Sequence, residues 1–499
     1  MPKPKQFARP PKKAKLKAAP ETADDFQEAA DKEEEAGGKH RVGDPAKSAR
    51  AFLRALELYN QGLSRHATNF DLAYNKARLE LEITQQPALV EHVGLPLIDL
   101  LRQTLDSHRY ALRLNEENPD LLFNTSQVLV SLAEQLSEAG QAPQAIPLFQ
   151  EALELLSACL SRQEMLLEQQ RLEFEQFDDD GGVPLDPDET PASNSGSEAD
   201  EQTARIETPV SANDLLDTVH ASVSALTTLV PLVDESALQT YGDMAYALTE
   251  KRAPSYVTLL PDDLQEAARV ILLLDRAIFV AAFSDAQYTF AMIDLATYAD
   301  RLNAFDVPSK DQNAHALSAQ AEARVELVQS ILDRHQSSIE LPAEICWKQL
   351  NLAQEANTKA TRLNTEDAKE RKAGILESQG GAEFLRHRLV TIPNVPLSEG
   401  IKRSARTLIQ NAQTYYRGAA QLAWAEGDAQ LAVKAKQRWL IACDIGSAVY
   451  GVAPKQTAAP FEGNPRDAKG DVMQALKDCV DEGLIAVDLG ERIAQRILQ

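Results

Sequence analysis

Cysteine is scarce in this 499-residue chain. The four present, Cys159, Cys346, Cys443 and Cys479, lie far apart and form no Cys-x-x-Cys pair. That argues against a disulfide framework or a zinc knuckle and favours a reducing compartment. No apolar run approaches the roughly 18 residues of a membrane span. The N-terminus is basic and proline-rich, unlike a signal peptide. The P-loop, dinucleotide-binding, HExxH and GxSxG signatures are all missing. The eight histidines are scattered, and His220 falls on a helical stretch where a hydrogen-bonded structural role is the simpler reading. Glu80 with Glu82, and Glu168 with Glu173 and Glu175, could imitate paired carboxylates. On long polar helices they read as solvated faces. These absences point away from an enzyme and give no reason to expect catalytic residues, a metal, a cofactor or a membrane.

Positive charge is also short: the formal net charge is -24. It is unevenly spread, because residues 1–19 carry seven Lys or Arg and no acid. Within that tail Lys12, Lys13, Lys15 and Lys17 form a K-K-x-K-x-K run. A basic, proline-held peptide of this kind suits the acidic groove of a nuclear import receptor. The alternative is a solvated tail that touches RNA non-specifically. Residues 21–36 switch to Glu and Asp and read as a disordered acidic linker, making 1–42 a basic then acidic disordered tail. The acidic body repels nucleic-acid phosphate, so the expected partner is a basic protein, and the expected location is nucleus and cytoplasm.

Helical periodicity is abundant, and it repeats. FLRALELYNQGLSR, from Phe52 to Arg65, returns 97 residues later as FQEALELLSACLSR, from Phe149 to Arg162. NFDLAYN at Asn69 to Asn75 is echoed by NPDLLFN at Asn118 to Asn124. A fixed-period echo of this kind marks helix pairs stacked in series. Ala49, Phe52, Leu56, Tyr59 and Leu63 give one apolar face. Asp44-Pro45, Asn69 and Asn118-Pro119 are helix-start signals. Further helices are expected over 212–230, 234–252, 262–282, 284–303, 311–336 and 343–363. Leu272, Leu273, Ile278 and Phe279 are expected to be deeply buried. Residues 364–376 read as an exposed charged extension, Gly380-Gly381 and Ile392–Pro396 as breaks, and 467–497 as a capping helix pair. The expected segments are 43–176, 211–363, 364–397 and 398–499, with an insertion at 177–210.

These residues resemble the tetratricopeptide (TPR) family. The order helix, Asn-Pro-Asp turn, helix is similar to its unit, and the better match is TYYRGAAQLAWAEGDAQLAVKAKQRW. There Tyr416 takes the aromatic position, Ala420 and Ala432 the small contact positions, and Gly427-Asp428 the turn. Tyr415, Trp424 and Trp439 sit at core-like spacing. The repeat of about 48 to 49 exceeds the 34 of the standard unit, and Lys76 and Thr125 stand where the family prefers Leu. The resemblance implies an all-α, right-handed superhelical solenoid of antiparallel pairs. It implies a groove lined from first helices, with Tyr74, Arg78, Phe123 and Gln127 as the candidate partner-binding residues. Asn75 with Arg78, and Asn124, are the faint traces of a carboxylate clamp.

The two copies of the opening repeat differ just beyond their last residues. After Arg65 the chain turns in three residues. After Arg162 the helix overruns into 177–207, which holds ten Asp or Glu and one Arg. Such a composition reads as a disordered loop expanded from a helix–helix turn. Ser195 and Ser197 there have acids three residues on, and phosphorylation would add charge. Three functions fit: a nuclear or nucleocytoplasmic chaperone for a basic client such as a ribosomal protein, a scaffold or regulatory subunit of a transcription or translation complex, or a heat-shock-protein co-chaperone. The sequence leaves the oligomeric state open.

Overall fold

The computed structural model describes residues 19–179, 209–305, 307–335, 341–452 and 468–498. The lysines of the import run, and Ser195 and Ser197, lie outside these. Among the described residues the fold is all-α, without strands. The chain divides into two compact units, up to Val128 and from Leu129. The division falls away from the segment boundaries expected from composition.

The first unit holds α1 (Ala23–His40), α2 (Pro45–Arg65), α3 (Phe70–Thr84), α4 (Leu97–Leu114) and the start of α5 (Pro119–Glu138). Its helices begin where short polar side chains satisfy free amides. Asp44 accepts from the Lys47 amide at 2.9 Å, Asn69 from Leu72 at 2.8 Å and Asn118 from Leu121 at 2.9 Å. Along α2 the stripe Ala49, Phe52, Leu56, Tyr59 is buried, as its spacing predicts. Successive helices pack together: α1 on α2, α2 on α3, and α3 on α4.

Helix α1 overturns the expected disorder of 21–36. Thr22 and Asp25 form a capping box, and Phe26 and Ala30 bury against α2. Its acids are not merely solvated. Glu33 pairs with Arg54 of α2 at 2.6 Å and Glu34 with Arg78 of α3 at 2.5 Å. The Tyr59 hydroxyl donates to Glu34 at 2.6 Å. Acidic composition signals disorder only when the carboxylates lack partners and the apolar anchors are too few. Glu80 is a second correction. It is buried, not on a solvated face, and holds the Gln103 amide at 3.2 Å and Lys76 at 3.7 Å. Burial raises its pKa, opposed by Lys76.

The second unit continues from α5 through α6 (Ala142–Asp179), α7 (Ala212–Leu229), α8 (Glu235–Tyr246), α9 (Asp262–Thr289), α10 (Ala314–Arg334) and α11 (Ala343–Arg362). It ends with α12 (Lys372–Thr391), α13 (Ala405–Glu426), α14 (Ala429–Tyr450), α15 (Ala468–Asp481) and α16 (Val487–Leu498). Short helical turns fill several connections. Neighbour packs on neighbour here too: α6 on α7 across the acidic insertion, α7 on α9, then each helix on the next from α9 to α16. This serial packing is that of a helical repeat array. The echo residue Phe149 is buried in α6 as Phe52 is in α2.

Four expectations fail in this unit. No break separates 262–282 from 284–303: α9 runs unbroken to Thr289, and a separate helix, Leu295–Arg301, comes after it. Leu272 and Leu273 are only half-buried, whereas Phe279 is buried. Gly380 and Gly381 do not interrupt the chain. They lie inside α12, a central helix whose residues from Gln379 to Leu385 are all buried. In α13 and α14 the small positions Ala420 and Ala432 are buried and Tyr416 is fully so. Gly427 closes α13 at φ +82, a left-handed conformation that suits glycine. Trp424 is the exception among the expected core aromatics, being largely exposed.

Candidate functional site

Of the residues assigned to a partner groove in the first unit, Arg78 is engaged by the chain itself. Arg78 bonds Glu34 of α1 and Glu82 of its own helix, at 3.4 Å for the latter. The neighbouring Asn75 amide donates to Gln27 of α1 at 3.2 Å. Helix α1 therefore lies over the polar face of α3 that a client would have used. Tyr74 is half-buried and packs beside Phe70 with the rings tilted and their centroids 5.8 Å apart. Burial raises the Tyr74 pKa, with the Asp120 charge adding and Arg78 opposing. Phe123 and Gln127 on α5 are half-buried. The structure ties Arg78 and Asn75 to α1 and leaves the other three as partly covered surface.

A different stretch carries crowded acidic charge. Helix α10 starts at the Asn313 cap, whose side chain accepts from the Ala316 amide at 2.9 Å. Its alanines and leucines bury on nearly all sides because α9 and α11 flank it. Glu322, Glu326 and Asp333 are exposed, at spacings of four and seven that put them on one face, and Arg334 is exposed beside Asp333. Like charges four apart destabilise a helix.

More acid converges on that face from neighbouring helices. Asp285 of α9 accepts from the Ser330 hydroxyl of α10 at 2.5 Å and from Tyr298 at 3.1 Å. Burial raises the Glu322 pKa most, the Glu377 charge of α12 adds and Arg371 opposes. The Glu326 pKa is pushed up to about 7, by burial first and then by Asp285 and Glu322. The Glu326 carboxyl reaches solvent beside packed protein that desolvates its charge. Glu377 of α12 is itself paired with Arg438 of α14, which also bonds Glu482 after α15 at 2.5 Å. Lys434 stands 3.8 Å from Glu377.

This acidic face can hold an ammonium or guanidinium group, which would relieve the mutual repulsion of its carboxylates. Among the described residues no cluster of His, Cys, Asp or Glu has the geometry of a metal site. His220 is exposed and its Nδ1 lies 2.7 Å from Asp275, which raises its pKa. Sequence reasoning missed the acidic stripe. The signal available was two glutamates four apart in AHALSAQAEARVELVQSILDR, a segment otherwise small and apolar on most sides.

Comparison with known proteins adds little beyond this geometry. No protein-family profile matches the chain. The UPF0656 protein C926.02 of Schizosaccharomyces pombe is 34% identical over 164 residues, 33% of this chain and 35% of that protein. The match thus spans about a third of that relative's length. A solved structure described as a circular tandem repeat protein with novel repeat topology and enhanced subunit contact surfaces aligns over 95% of this chain and 89% of its own. Its sequence identity is 13% and its TM-score 0.27, too low to carry a shared topology. The helical repeat character of this chain rests on its own helix order and packing.

Proposed function

We propose that this chain is a non-enzymatic binding protein that escorts a basic protein client, a ribosomal protein being the type of cargo that fits. The observation that carries this reading is the acidic face of α10, where Glu322, Glu326 and Asp333 reach solvent and burial, then Asp285 and Glu322, raise the Glu326 pKa. Solubility alone would place acids on fully hydrated faces, where no such desolvation arises. An array of stacked helices supplies the surface on which an extended client can lie. Neutralising a client's Lys and Arg keeps it from binding nucleic acid before delivery.

The nuclear part of the reading rests on Lys12, Lys13, Lys15 and Lys17 alone. A tagged chain with Lys12→Ala and Lys13→Ala should shift to the cytoplasm; an unchanged distribution removes the nuclear inference. The co-chaperone alternative loses support, because the Asn75 and Arg78 of its clamp are tied to α1. The client reading is tested by capture from extract with the full chain. One basic protein should be recovered, released by salt and lost when Glu322 and Glu326 are both changed to Lys. Recovery of a large assembly indifferent to salt and to these changes would favour a scaffold instead.

A further inference from the structure

A second feature of the same unit carries the opposite charge preference. Beyond the C-terminal end of α12 a cavity of about 500 Å³ opens between that helix, the Ile392–Pro396 segment and α16. Its walls are apolar: Leu332, Leu341, Val395 and Leu489 are buried there. Its charged groups are Arg388, Arg492 and Asp488. This is the composition of a ligand site, apolar walls with a few placed polar groups.

The partly buried arginines fall into two groups, and in one of them Arg301 and Arg324 donate to the neutral side-chain oxygens of Gln287 and Gln349. In the other, Arg78, Arg252, Arg386 and Arg438 each hold a carboxylate directly. Arg388 donates to the carbonyl of Gly483, at 2.5 Å, and among the described residues has no carboxylate in ion-pair contact. Burial lowers its pKa, and the more distant Asp333 opposes that only in part. Arg492 makes a loose pair with its helix neighbour Asp488, at 3.7 Å, and donates to that residue's carbonyl at 3.4 Å. In a chain with 75 acids and 51 Lys and Arg, a half-buried guanidinium left without a direct acid partner is costly and needs a reason.

We propose that this cavity binds the C-terminus of a partner peptide, with the terminal carboxylate on Arg388 and Arg492 and a large apolar last side chain against Leu332, Leu341, Val395 and Leu489. A guanidinium fork matches a carboxylate's two oxygens. The walls demand an apolar body attached to that anion, which a bare inorganic ion lacks. At the rim Asn394, at φ +58, turns the Ile392–Pro396 segment so that it borders the opening. Thr391 beside it is exposed, and its hydroxyl turns back onto the His387 and Arg388 carbonyls. The site is distinct from the acidic face at Glu322 and Glu326, which takes cations.

The test uses the full chain and fluorescein-labelled Gly-Ser-Gly-Ser-Gly-Leu, with a free C-terminal carboxylate or an amide, read by fluorescence anisotropy. The acid should bind at least tenfold more tightly than the amide, and Arg388→Gln should remove that preference. Thr391→Trp, which fills the mouth from an exposed position, should abolish binding with the melting temperature unchanged. That variant keeps the test valid if Arg388→Gln does not fold. Equal binding of acid and amide, or binding unaffected by Thr391→Trp, overturns the proposal. So does octanoate that binds as tightly as the peptide, since the cavity would then serve a free amphipathic anion.

Discussion

Gly380→Val should destabilise the second unit by roughly 3 kcal/mol. A Cβ at this position would lie 2.6 Å from the Tyr416 ring, closer than non-bonded carbons approach. Tyr416 cannot move aside, because it is fully buried and packs on Phe384 with ring centroids 5.2 Å apart. Helix α12 must therefore back away from α13, and the two share one of the most extensive helix contacts in the unit. Gly374, less than two turns earlier in the same helix, supplies the control. A Cβ there meets nothing within 4 Å. Gly374→Ala should stabilise by about 0.5–1 kcal/mol, from helix propensity and the reduced freedom of the unfolded chain. Urea unfolding followed by far-UV circular dichroism distinguishes the two. Equal shifts at both positions would mean that propensity, not the Tyr416 contact, governs α12.

The same glycine shows where local sequence ceases to determine structure. Intrinsic propensity disfavours Gly inside a helix by about 1 kcal/mol, so a Gly-Gly pair reads as a break. Here the absent side chain is what admits Tyr416, and tertiary packing reverses the local preference. Starts and stops set by one residue and its neighbours were legible: Asp44-Pro45, Asn69, Asn118-Pro119 and Gly427-Asp428 all act as their chemistry requires. So was the buried stripe of α2, because 3.6-residue periodicity is a local property. Helix α1 was not legible. Its anchors Phe26 and Ala30 are few, and the arginines that neutralise Glu33 and Glu34 arrive from α2 and α3. The acidic face of α10 was hidden for the same reason. Glu322 and Glu326 are adjacent turns of one helix, but Asp285 and Glu377 approach from helices 37 or more residues away in sequence.

Glu326→Gln should raise the stability of the free protein at pH 8 while weakening its hold on a basic client. The folded protein keeps the Glu326 proton up to about pH 7, against an ordinary value of 4.5. A raised carboxyl pKa adds stability in full below about pH 4.5, and that stability is lost as pH rises through 7. At pH 8 the ionised carboxylate is a burden on the free fold, beside Asp285 and Glu322. Because the side chain reaches solvent, screening reduces the burden to the order of 1 kcal/mol. Gln removes it. A client ammonium or guanidinium also removes it, by pairing with the ionised form, so client affinity should rise with pH from about 6 to 8. In Glu326→Gln that rise should flatten. Reversing both charges, Glu322→Lys with Glu326→Lys, should cost about 100-fold in affinity, equivalent to about 3 kcal/mol. Calorimetric titration with the captured client at pH 6, 7 and 8, beside melting curves of the free variants, reads both effects. A carboxyl of purely structural use would lower stability when changed and leave client affinity alone. If Glu326→Gln does that, the acidic face of α10 is not where the client binds.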